Sequence, residues 1–170
     1  ILNSNPDAFV LGLSATPFTK GLGTYFDTHI EPVPVKRLIQ DGYLCDFEIF
    51  GPDTIDLSNV RTQAGDYKTD DLADAADQPD LVADVVETWL KLARNRKTIV
   101  FCVNVAHGRH LEKAFRQRGI KATEINGYMA KTDRDAVLEG FVTGDTQVML
   151  SVEILIKGFD VTSVDCIVWA

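Results

Sequence analysis

The sequence predicts an α/β fold, a parallel sheet with helices on both faces. Two observations carry that expectation. The apolar pattern switches several times between short continuous runs and helical spacing. Most of the short runs also end in a turn rich in Ser, Thr, Asn or Gly. Alternation of this kind builds βαβ units, whose strands lie parallel and whose helices cover the sheet.

The elements follow in order. Phe9-Val-Leu-Gly-Leu13 reads as a buried strand. Residues 42–80 are rich in Asp, Gly and Thr, with a short apolar stretch from Phe47 to Phe50, and read as a linker holding one weak strand. A helix is expected to start at Asp77-Gln-Pro79, because proline is tolerated in a first turn. Leu81, Val82, Val85, Val86, Trp89, Leu90 and Leu92 then share one broad face. Thr98-Ile-Val-Phe-Cys-Val103 is continuously apolar, as a strand covered on both faces should be, and Asn104 follows as a candidate helix cap. The next helix should bury Ala106, Leu111, Ala114 and Phe115 and stop at Gly119. A strand over residues 121–125, a helix opened by Thr132-x-x-Asp135 and carrying Val137, Leu138 and Phe141, and a strand over 147–150 repeat the cycle. Residues 164–170 read as another buried strand. Ile1 in place of Met, and a last strand without a turn after it, read as the ends of a piece of a longer chain.

Composition narrows the class. The chain has 170 residues, a formal charge of −8, a hydrophobic fraction of 45% and a charged fraction of 25%, which excludes a disordered or collagenous chain. No stretch approaches the roughly 20 apolar residues of a membrane span, and no basic-then-apolar leader opens the chain, so a cytoplasmic, membrane-free protein is expected. Cys45, Cys102 and Cys166 are too few and too far apart for zinc or a disulfide framework. His107 and His110 stand three apart with no third ligand nearby, so no metal site is expected. The charge is uneven: residues 41–87 hold thirteen acids against two bases, whereas 88–170 hold twelve bases against nine acids. A basic surface on the last part could meet an anionic polymer, although charge runs on helices more often only solvate a face.

Ligands of such sheets bind at the carboxyl ends of the strands, which singles out Ser14-Ala-Thr-Pro17, Asn104-Val-Ala-His107, Asn126-Gly127 and Ser151-Val-Glu153. Hydroxyls, amides and open backbone N–H groups there suit phosphate oxygens. The same residue types also make ordinary turns and caps.

Taken in order, Gly12-Leu-Ser-Ala-Thr-Pro17, Ile99-Val-Phe-Cys-Val103, Asn126-Gly127 with Arg134 and Phe141-x-x-Gly144, and Ser151 followed by Gly158-Phe-Asp160 resemble the ordered motifs of superfamily 2 (DEAD/DEAH-type) helicases, from motif III to motif V. Leu38-Ile-x-x-Gly-Tyr-Leu44 and the helix at 81–93 are similar to the branch with RadD-like DNA repair helicases, phage helicases and type III restriction motor subunits. The resemblance implies two RecA-like domains that close on ATP and Mg2+ while nucleic acid lies across both. Residues 1–45 would then end the first domain, 46–78 form an acidic linker, and 79–170 form the second domain, truncated before its final motif.

Ser14, Ala15 and Thr16 match the motif that couples the two domains. Asn104, Gly127 and Ser151 match positions that contact nucleic-acid phosphates, and Gly158 and Asp160 match positions beside the nucleotide. Lys157 and Val161-Thr-Ser163 depart from the branch pattern on either side of that last motif. The chain also lacks a Gly-x-x-x-x-Gly-Lys-Ser/Thr loop, an acidic Asp-Glu box and an arginine-rich final motif. Phosphoryl transfer needs those parts, so the expectation is a fragment of an ATP-dependent helicase or translocase, inactive and without tightly bound cofactor by itself. Nucleic acid, DNA rather than RNA, and the first motor domain are the expected partners, with self-association through truncated edges near Trp169. The competing reading is a non-catalytic RecA-like module that binds nucleic acid or a partner protein.

Overall fold

The computed structural model describes residues 9–14, 20–51, 57–63, 66–154 and 161–170, which fall in two compact units, Ile1–Gly51 and Pro52–Ala170. In the first unit a short 3-10 helix, Leu22–Thr24, precedes helix α1, Val35–Gln40. Pro34 stands before α1 in extended conformation, and Gly42, at φ 78°, turns the chain after it. The expected strand at residues 9–13 is not formed, and Phe9, Leu11 and Leu13 are exposed. An apolar run becomes a strand only beside another strand, and none pairs with it among the described residues. The same holds for Phe47 to Phe50, where Phe47, Ile49 and Phe50 are exposed.

The second unit holds the sheet. It opens with an antiparallel pair, β1 (Thr62–Gln63) and β2 (Asp66–Tyr67), then α2 (Thr69–Ala76). Both lie in a stretch that reads as linker, because α2 is short, acidic and carries only small apolar residues, Ala73 and Ala76, into the interior. Arg61 fastens the hairpin to α2 through Nε and Nη2 bonds of 2.6 and 2.8 Å to Asp71. That guanidinium holds the Asp71 carboxyl well below the usual carboxylate range.

Helix α3 (Pro79–Leu92) begins with proline at its first turn, as expected, with Asp80 at the start and Lys91 at the end to suit the helix dipole. Strand β3 (Thr98–Phe101), helix α4 (Val105–Gln117), strand β4 (Ala122–Asn126), helix α5 (Lys131–Thr143), strand β5 (Val148–Val152) and strand β6 (Cys166–Trp169) complete the alternation. The four strands β3 to β6 form one parallel sheet in the order β4-β5-β3-β6. Gly119 (φ 74°) and Gly144 (φ 95°) end α4 and α5 in the left-handed conformation that glycine adopts without strain. Helix α5 starts one residue before the expected Thr132 cap, from Ala130, which offers no side-chain cap.

Side-chain alternation along the strands divides the core in two. Val100, Ala122, Val148 and Leu150 meet Val82, Val86 and Trp89 of α3 and Leu111 and Phe115 of α4. Ile99, Ile125 and Met149 point to the other face and meet Phe141 of α5. The sheet is therefore covered on both sides, as its continuous apolar strands predict. Helix α4 differs from expectation in its first turn, where Ala106 is exposed and His107 and Gly108 are buried instead. Strand β6 pairs only with β3 among the described strands, so Ile167 and Trp169 stay exposed, with Trp169 stacked on Phe101 at 4.6 Å.

The buried anchor of the first face is Trp89. Its indole N–H donates to Thr98 Oγ1 at 2.7 Å, that hydroxyl donates to the Arg96 carbonyl at 3.1 Å, and the ring meets Phe115 edge to face at 5.3 Å. Thr98→Val leaves the buried indole N–H without its acceptor and should cost about 1–3 kcal/mol in urea unfolding. Combined with Trp89→Phe, it should cost less than the sum of the two single changes, because both remove the same bond.

Candidate functional site

A parallel sheet ends all its strands on one edge, and the register fixes where each end stands. Here Ser151 of β5 pairs with Phe101 of β3 on one side and Ile125 of β4 on the other. The turns that follow β3 and β4 therefore stand on either side of the end of β5. Asn104, Gly127 and Ser151, three residues singled out from sequence, are brought to this edge by that pairing.

Each is held by its own local chemistry. Asn104 is extended and caps α4, its Oδ1 accepting from the His107 N–H at 2.9 Å and so satisfying one of the unpaired amides that open a helix. Asn126, at the end of β4, accepts from the Tyr128 N–H at 2.8 Å and donates from Nδ2 to both Glu124 oxygens at 2.8 and 3.1 Å. Between them Gly127 is exposed, and its carbonyl accepts from Arg134 Nη1 at 3.2 Å. A Cβ on Gly127 would meet nothing nearer than Ile154 Cγ2 at 3.9 Å, so folding leaves room for a side chain there.

Ser151 is buried, and its hydroxyl donates to the Ile154 carbonyl at 2.5 Å, so it ties down the turn after β5. That turn passes through Glu153 at φ 57°, a left-handed conformation that costs an ordinary residue about 1–2 kcal/mol. Gly108 brings α4 close to this edge. A Cβ there would lie 3.1 Å from Glu124 Cγ and 3.3 Å from Val152 Cγ2.

The electrostatics follow from burial. Burial first, then the nearby Glu124 and Asp77 carboxylates, push the Cys102 thiol up to about 12, so it stays protonated and serves packing. Burial also lowers the pKa of His107, against the pull of Asp77, and its Nδ1 has no hydrogen-bond partner among the described residues. His110 stands apart from it at the surface, its Nδ1 within 2.8–2.9 Å of both Asp77 oxygens. Among the described residues no group of three His, Cys, Asp or Glu is placed to hold a metal ion, and no helix is long and apolar enough to cross a membrane.

Ser14 lies in the first unit and is exposed. Ala15, Thr16, Gly158 and Asp160 lie outside the described residues, as do Lys157 and Pro17. One residue of the edge escapes sequence reasoning: Tyr128 follows the Asn-Gly turn and is 86% exposed. Glu153 falls within the Ser151-Val-Glu153 candidate, but its left-handed turn is seen only in the structure. The position of Tyr128 immediately after a strand-ending turn is the signal that could have found it.

This fold defines a parallel α/β domain, and the comparisons with known proteins name its family. Residues 80–169 match the helicase conserved C-terminal domain, and the chain belongs to that family, a superfamily 2 helicase C-terminal domain. A "51.5 kDa protein" of Lactococcus phage (isolate 7-9) is 31% identical over 161 residues, which is 93% of this chain and 35% of that protein. The provisionally named ATP-dependent helicase IRC3 of Saccharomyces cerevisiae is 26% identical over 165 residues, 93% of this chain and 24% of its own length. The chain thus spans about a third or less of these relatives. The Pyrococcus furiosus Hef helicase domain superposes with a TM-score of 0.44 at 25% identity, over 53% of this chain and 19% of that one.

His107 sets a pH dependence. Its folded pKa lies below the unfolded value of about 6.5, so its contribution is present above that value and is lost as pH falls toward the folded pKa. Between about pH 7.5 and 5.5 the wild type should lose more urea stability than His107→Gln, since only the buried imidazole adds this slope. Equal losses in the two proteins would contradict the assignment.

Proposed function

We propose that this chain is part of an ATP-dependent nucleic-acid motor, a superfamily 2 helicase or translocase, and that its second unit grips the phosphate backbone along the β3–β4–β5 edge. The single observation that supports it most is the meeting of Asn104, Gly127 and Ser151 on that edge in a chain of the helicase C-terminal domain family. The N-terminus of α4 stands directly behind Asn104, and the Arg134 guanidinium is anchored to the Gly127 carbonyl. Both features favour an anion there. Ser151 acts through the turn it holds, since its hydroxyl is buried and already bonded. Contacts of this kind hold a strand without reading its sequence.

In this reading residues 1–45 close the first motor domain, with Ser14, Ala15 and Thr16 in the coupling motif, 46–78 connect the domains, and 79–170 make up most of the second. Gly158 and Asp160 belong, by their match to the family's motif, to the part that serves the nucleotide. ATP and Mg2+ are held with a lysine loop and an acidic box that this sequence does not contain, so the chain alone does not turn over. The RadD-like and type III restriction branch, suggested by Leu38-Ile-x-x-Gly-Tyr-Leu44, favours DNA over RNA, a role in repair or restriction, and the cytoplasm. The exposed Ile167 and Trp169 support self-association through the β6 edge.

Gly127→Ala separates binding from folding. Because a methyl group has room in the fold, stability should change by less than about 0.5 kcal/mol. Affinity for a single-stranded oligonucleotide, read by fluorescence anisotropy at low salt, should fall by about three- to tenfold, because the methyl group keeps a phosphate from closing on the backbone N–H groups of that turn. Unchanged affinity in this variant and in Asn104→Ala would remove the edge from the grip.

A further inference from the structure

We propose that the pocket beside this edge takes one nucleoside of the bound strand, with Tyr128 as the face on which the base stacks. The inference rests on the phosphate grip proposed above and adds a contact to the base. A cavity of about 330 Å3 opens between the turns after β3, β4 and β5. It lies at the lower end of the volumes that hold small organic ligands, about 300–1,000 Å3, and so suits a single nucleoside. Val103, Ala106 and Val152 give it apolar walls, Asn104 is shared with the edge, and Tyr128 and Glu153 contribute from the neighbouring turns.

Tyr128 has the properties of a stacking platform. Its side chain is open to solvent, yet its backbone is fixed by the Asn126 bond, and Asn126 is in turn held by buried Glu124. An aromatic ring on so rigid a stem loses little freedom when a base covers it. Glu153 decides which part of a nucleotide enters. A carboxylate repels a phosphate but accepts hydrogen bonds from a sugar hydroxyl or a base amine. The backbone therefore follows the Asn104–Gly127 side, and the nucleoside turns toward Tyr128 and Glu153.

The test compares a labelled oligothymidine with an abasic strand of equal length, titrated with the 170-residue chain at low salt. The wild type should bind the base-bearing strand at least about fivefold more tightly. Tyr128→Ala should lose that advantage while its affinity for the abasic strand stays the same, and Tyr128→Phe should keep it. Unfolding in urea should be alike for all three proteins, since the ring is exposed. Equal wild-type affinity for the two strands, or a preference that survives in Tyr128→Ala, overturns the nucleoside site and leaves the phosphate grip standing. Failure to bind either strand overturns both. Free adenosine reports the other source of the same chemistry, and saturation by it at lower concentration than by the oligonucleotide overturns the assignment to a strand.

Discussion

Strand β5 is hydrogen-bonded along both sides, to β3 from Val148 to Ser151 and to β4 from Val148 to Val152. Everything at the carboxyl-end edge of the sheet depends on that double pairing. A slip of one residue would send Val148 and Leu150 to the face of Met149, empty both halves of the core and move Ser151 out of its turn. The register is protected because the two faces need different partners: Trp89, Leu111 and Phe115 on one, Phe141 on the other. Packing in the middle of the sheet thus sets the height at which Asn104 and Gly127 stand beside the end of β5.

The edge itself is made rigid by polar bonds where packing ends. Glu124 and Asn126 are buried polar groups that satisfy one another, and Asn126 then fixes the backbone of Tyr128. Ser151 holds Ile154, and Gly108 lets α4 come close enough to cover Glu124. The result is a firm rim of amides and caps with an apolar notch beside it. A firm rim suits a strand that must be held at its phosphates regardless of sequence, and a notch with one exposed aromatic suits a base.

The sheet, its helices and the turns that follow its strands were legible because they rest on periodicity and on turn chemistry, which are local. The strand expected over Thr98 to Val103 begins at Thr98 and ends two residues early at Phe101, and the Asn104 cap and the Gly119 stop appear where the sequence places them. What was not legible depends on partners. The run at residues 9–13 has the composition of a buried strand but no strand paired with it among the described residues. Helix α2 is tied to the hairpin by the Arg61–Asp71 bonds across ten residues, and its inner stripe is made only of small residues, Ala73 and Ala76. Burial of His107 in place of Ala106 follows from how α4 is rotated on the sheet, and the close approach at Gly108 sets that rotation. Glu153 shows its left-handed backbone only once the turn after β5 is built.

The central claim is a nucleic-acid motor, and its most direct test is the ATPase rate of the longer protein that contains this chain, with and without single-stranded DNA, duplex DNA and RNA, beside its Asp160→Ala variant. The account predicts hydrolysis stimulated by DNA more than by RNA, with the variant reduced by at least about tenfold. Hydrolysis no higher than background with every polymer would contradict it and leave a RecA-like fold that binds without turning over ATP.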